Sequence, residues 1–129
     1  MKRAALALLL FLSIFPTRAE PAFTPGGDAQ IRAVVDGTTL GLSDGRQLRL
    51  VGIETPARGA LAERAKEALK ELTASGTITL RFAGNPRDRQ GRVLAQAFAD
   101  ERWLQGELLK RGLARVRSTA EIALALPRC

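Results

Sequence analysis

The 129-residue sequence has no histidine and no tyrosine, and only one each of cysteine, tryptophan and methionine. Without histidine there is no Ser-His-Asp triad, no Cys-His pair and no imidazole metal ligand. Without tyrosine there is no phenolic nucleophile for a phosphodiester. Cys129 is a lone thiol at the last position, so it is either inert or pairs between chains, and no disulfide can form within the chain. Exported domains of this size often lean on disulfides; this one must rely on its apolar core. Any hydrolysis falls to carboxylates, arginine or lysine, and a hard cation held by oxygen.

Long apolar runs are equally scarce. The only one, Ala4 to Phe15, follows the basic start Met1-Lys2-Arg3 and precedes Pro16-Thr17-Arg18-Ala19. That is the layout of a secretory signal peptide over residues 1–19, cleaved after Ala19. The run falls short of the roughly 20 residues a membrane span needs, so an uncleaved anchor is the lesser alternative. The expected location is therefore exported, periplasmic or extracellular, with no membrane span in the mature chain. Of the 20 basic residues, Lys2, Arg3 and Arg18 leave with the signal, so 17 remain against 13 acidic ones. Such a surplus permits a polyanionic partner and equally describes a solvated surface.

What is present divides into a leader and one small domain, expected to be monomeric. Residues 20–28, with Pro21, Pro25, Gly26 and Gly27, read as a flexible leader. Over 29–129, strands are expected at Ala29–Val35, Thr39–Leu42, Arg46–Ile53, Thr77–Phe82 and Val93–Ala99, with a last short one at Leu113–Val116. Asp44-Gly45 suits a tight hairpin turn. Between Ala60 and Thr73, Leu61, Ala65, Ala68, Leu69 and Leu72 fall on one helical face. A second helix is expected over Trp103–Arg111, stopped by Gly112. Short strands interrupted by one amphipathic helix suit a small closed barrel, commonly the oligonucleotide-binding (OB) fold.

Four segments then carry a resemblance. Asp36-Gly37-Thr38-Thr39 follows the first strand. Arg49-Leu50 precedes Glu54-Thr55-Pro56-Ala57, Gly91-Arg92 opens a later strand, and Gly112-Leu113-Ala114 follows the second helix. In order and spacing they resemble the staphylococcal nuclease (thermonuclease) family. The resemblance implies an α+β domain built on a five-stranded OB-fold barrel, acting on DNA and RNA as a calcium-assisted phosphodiesterase. By that likeness Arg49 and Arg92 are catalytic. Glu54, Thr55 and Thr38 would hold Ca2+, Asp36 lies near the site, and Arg89 and Arg87 bind phosphate.

Two departures weaken the expected activity. The family's second metal aspartate is Thr38 here, and its water-handling glutamate is Ala57. A non-catalytic binder of phosphate or single-stranded nucleic acid is the alternative. The family's long terminal helix is also curtailed: Ser118-Thr119-Ala120-Glu121 forms a capping box, yet Pro127 leaves it about two turns.

Plainer roles stand beside these. Asp36-Gly37 alone is a turn, and Arg49 between two leucines is also an ordinary outward arginine on a half-exposed strand. Glu54 equally serves as a cap or an ion-pair partner, and Thr55-Pro56 as a helix entry. Arg87, Arg89 and Arg92 also suit a solvated loop, and Trp103 a core or rim position.

Overall fold

A computed structural model describes residues 24–82, 84–118 and 122. The expected signal peptide, Cys129 and most of the expected C-terminal capping segment lie outside the described residues.

The chain runs β1 (Thr24–Asp36), β2 (Thr39–Leu42), β3 (Gln47–Leu50), β4 (Ile53–Glu54), α1 (Ala60–Leu72), β5 (Thr77–Phe82), β6 (Val93–Ala99), β7 (Arg102–Trp103), α2 (Leu104–Lys110) and β8 (Arg115–Val116). β1 is long because it serves two neighbours. Its first half pairs antiparallel with β5, up to Gln30 opposite Thr77, and its second half with β2, from Ile31 opposite Leu42. β5 continues into β6 and β2 into β3, and β3 then pairs in parallel with β6. That last pairing joins the two ends of the sheet, so β1, β2, β3, β5 and β6 form a closed five-stranded barrel of the OB-fold type.

Sequence chemistry accounts for most of this. Strand alternation sends Ile78 and Leu80 of β5 inward, and Leu40, Leu42, Leu48 and Leu50 meet them from β2 and β3. The hairpin between β2 and β3 is tied by Asp44, whose carboxylate accepts from the Arg46 N–H at 2.9 Å and from Arg46 Nε at 2.7 Å. Helix α1 plugs the barrel with Ala65, Ala68, Leu69 and Leu72. Helix α2 adds Leu104 and Leu108.

Three expectations are corrected. The leader assigned to residues 20–28 is already strand from Thr24: Thr24 pairs with Phe82, Pro25 with Arg81 and Asp28 with Thr79. The two glycines that resembled a linker sit at a register shift inside β1, a bulge in a strand that continues past them. The strand expected over Arg46–Ile53 breaks at Gly52, whose φ of 84° turns the chain out of the barrel. Beyond that turn β4 pairs with β8 instead. Finally, Leu61 does not join the buried face of α1; in the helix's first turn it is 47% exposed.

Candidate functional site

The parallel register of β3 and β6 sets Arg49 opposite Leu94, two residues beyond Arg92. Leu48 and Leu50 point into the core, so Arg49 must point out, and it does so into a cleft of about 530 Å³. Arg92, Arg89 and Gln90 reach the same cleft from the loop before β6, and Arg117 and Ser118 from the chain after β8. The two arginines singled out as catalytic are therefore brought together, and Arg89 joins them. Arg87 does not line the cleft: its backbone forms a bridge to Val93, and its side chain is exposed elsewhere.

Asp88 organises this loop. Its Oδ1 accepts from the N–H groups of Gln90 at 2.9 Å and Arg92 at 2.8 Å, and its Oδ2 from Arg92 Nε at 2.6 Å. Burial pulls the Asp88 carboxyl upward, but these donors and the charge of Arg92 outweigh it and hold the group below its ordinary value of 3.8. Asp88 occupies only one edge of the Arg92 guanidinium. Among the described residues the terminal nitrogens carry no hydrogen bond and remain open to the cleft.

Arg49 is held more loosely. Among the described residues its one hydrogen bond runs from Nη2 to the Ile53 carbonyl at 3.5 Å, the outer limit for such a bond. Burial, then Arg117 and Arg92, push its guanidinium below the usual arginine value, while Asp36 and Asp88 pull the other way. Arginine stays charged at any physiological pH.

The expected metal ligands do not converge on the arginine cleft. Asp36, Thr38 and Thr55 line one neighbouring cleft with Ala57, and Glu54 lines another with Thr55, Ala57 and Arg115. Asp36 Oδ1 is engaged by the Thr38 N–H at 2.8 Å and its hydroxyl at 3.1 Å. Glu54 is engaged by Arg115 Nε, across the β4–β8 pairing. Among the described residues there is no group of three acidic, histidine or cysteine side chains placed to hold a metal. Calcium takes six to eight oxygens, commonly with several carboxylates. Two carboxylates, both already bonded, are a poor fit for it.

The Asp36–Thr39 turn is also a packing device. A Cβ on Gly37 would lie 2.7 Å from that of Ala65 and 2.9 Å from Thr55 Oγ1. Glycine thus lets the turn press against α1 and Thr55. The plainer reading of Thr55-Pro56 is compatible with this contact. Trp103 is a rim residue, donating from Nε1 to Gln96 Oε1 at 2.7 Å.

Sequence reasoning missed Asp88 and Arg117. Asp88 has a local signal, an aspartate followed within four residues by the N–H groups it binds, as in an Asx turn. Arg117 has none.

Comparison with known proteins agrees with this fold. A family model described as "Staphylococcal nuclease homologue" matches residues 47–124. Endonuclease YncB and the SPbeta prophage-derived endonuclease YokF, both of Bacillus subtilis (strain 168), are each 47% identical to the chain over 55 residues. That stretch is 42% of this chain and only 26% and 19% of the two relatives, so the chain spans about a quarter or less of their length. Thermonuclease of Staphylococcus intermedius is 25% identical over 126 residues, covering 88% of this chain and 75% of the relative. A closed barrel with these segments in register, and a family match across more than half of the chain, establish that the protein belongs to the staphylococcal nuclease family.

Proposed function

We propose that the protein is an exported nucleic-acid phosphodiesterase of low turnover, which grips a backbone phosphate in the arginine cleft. The observation that carries this reading is the convergence of Arg49 and Arg92 on one cleft from β3 and from the loop before β6. A phosphodiester attacked by water gathers negative charge on its equatorial oxygens, and forked guanidinium hydrogen bonds stabilise that charge. Arg92 is pre-set for this by Asp88, and Arg89 adds a cation for the neighbouring phosphate. Residues 1–19 serve, in this reading, as the export signal.

Low turnover follows from the water side of the reaction. Ala57 has no group that can accept a proton, and Thr38 brings no charge. Asp88 is a weak base, because its carboxylate is already stabilised by four donors and charges. Calcium, which the family resemblance implies, finds an ill-fitting donor set at Asp36, Thr38, Glu54 and Thr55.

A second reading, non-catalytic binding of single-stranded nucleic acid, is favoured by one observation: Glu54, the acid nearest Ala57 in the chain, is tied to Arg115. One assay separates the two. The chain from residue 20 onward is incubated with single-stranded DNA and RNA, with calcium or with chelator, beside an Arg49→Ala variant. Cleavage that falls by about 10² or more in that variant supports hydrolysis. Salt-sensitive binding without cleavage supports the binder. An Arg49→Ala variant that neither binds nor cleaves differently from its parent removes the cleft from both.

A further inference from the structure

The cleft contains one arginine to which the proposed reaction assigns no role. Arg117 follows β8, and its N–H donates to the Gly52 carbonyl at 2.8 Å, with the Ser118 N–H on the same oxygen at 3.2 Å. Gly52 is the turn that ends the strand carrying Arg49, so these two bonds bring Arg117 beside it. Both side chains line the cleft.

Neither guanidinium has a salt-bridge partner among the described residues. Among the described residues Arg117 forms no ion pair and no side-chain hydrogen bond, and Arg49 has only its long bond to Ile53. After burial, the charge of Arg117 is the strongest influence lowering the Arg49 pKa, ahead of Arg92. Four arginines line the cleft against one aspartate, and that aspartate is committed to Arg92. Arg49 is half-buried and Arg117 exposed; like charges held side by side repel, and an anion seated between them relieves the repulsion.

We propose that Arg117 is a phosphate-binding residue of this cleft, acting with Arg49 on the same phosphate group. The proposal rests on the reading of the cleft as a phosphate site and adds a third point of attachment that reaches it from the far end of the domain.

Inorganic pyrophosphate and a ten-residue thymidine oligonucleotide serve as probes, with Arg117→Ala, Arg117→Lys, Arg49→Ala and, as a control, Arg64→Ala, whose arginine lines a separate cleft beside α1. Arg117→Ala is expected to raise the Kd for pyrophosphate about tenfold. It should also reduce the slope of log affinity against log salt for the oligonucleotide by about 1. Arg117→Lys should recover part of the affinity, since it keeps the charge and loses the fork. Arg64→Ala should stay within about twofold of the parent. If Arg117→Ala also stays within twofold while Arg49→Ala weakens binding, Arg117 is merely solvated and the proposal is overturned. If pyrophosphate fails to bind, or Arg49→Ala does not alter its binding, the phosphate reading of the cleft falls together with the proposal. Should Arg117→Ala melt without cooperativity, the neutral, polar Arg117→Gln decides on the same thresholds.

Discussion

At position 57 the chain offers a methyl group where the family resemblance places a carboxylate, and at position 38 a hydroxyl where it places a second acid. If the scaffold is otherwise competent, Thr38→Asp combined with Ala57→Glu should raise phosphodiester cleavage in calcium by a factor on the order of 10²–10⁴, the usual worth of a general base. A gel assay on labelled single-stranded DNA reads the gain directly, and an unchanged rate would mean the pocket does not hold water in line. One residue away from Thr38, Gly37 is fixed by contact with Ala65 and Thr55. Gly37→Ala should cost about 1–3 kcal/mol, as overpacking typically does, seen as a lower melting temperature. Individual residues were legible to very different degrees. The outward direction of Arg49 was readable from the two leucines that flank it, and its site role from the family resemblance. Arg117 was not, because nothing local marks a residue whose place is set by a hydrogen bond to Gly52.

Elements were legible where one periodicity held throughout. Helix α1 follows its heptad-like stripe to within a residue, and β5 alternates as its sequence does. The misses fall where glycine had two meanings: a bulge inside β1 that looked like a linker, and a turn at Gly52 that looked like mid-strand. A third feature had no pattern at all. Gln105 of α2 is fully buried, and its amide ties that helix to β6 and to the turn after β3. Its Oε1 accepts from the Ala97 N–H at 3.3 Å, while its Nε2 donates to the carbonyls of Ala95 at 3.0 Å and Val51 at 3.3 Å. Gln105→Leu keeps the bulk and removes those bonds, leaving buried backbone groups short of a partner. A loss of about 1–3 kcal/mol is expected in urea unfolding, and a loss within 0.5 kcal/mol would mean water replaces the amide. Because Val51 adjoins Gly52, the same variant should also weaken phosphate binding.

For the whole molecule, the acids at the two loop ties respond to pH together. Asp44 is lowered by the N–H of Arg46 and then by its guanidinium. Asp88 is lowered despite burial by the N–H and guanidinium of Arg92. A carboxylate whose folded pKa lies below its unfolded one stabilises the fold fully above the unfolded value, and that stability is lost as pH falls through the folded value. Thermal stability should therefore hold at neutral pH and decline once the pH drops below about 4, the ordinary aspartate range. In the double variant Asp44→Asn, Asp88→Asn this part of the decline should vanish, leaving a flatter melting profile between about pH 2 and 4. An unaltered profile would place the acid sensitivity elsewhere. Barrel closure itself was expected from the alternation of short strands with one amphipathic helix. The parallel β3–β6 seam that achieves it, and that sets Arg49 across from the Arg92 loop, came only with the coordinates.

The Gly52 carbonyl, bonded from the segment after β8, has a temporal consequence. Arg49 and Gly52 come before Arg117 in the chain, so a growing polypeptide presents its first guanidinium before the residues that complete the cavity are made. In the proposed reading of the cleft, its full grip on a phosphate is assembled only once Arg117 has been added.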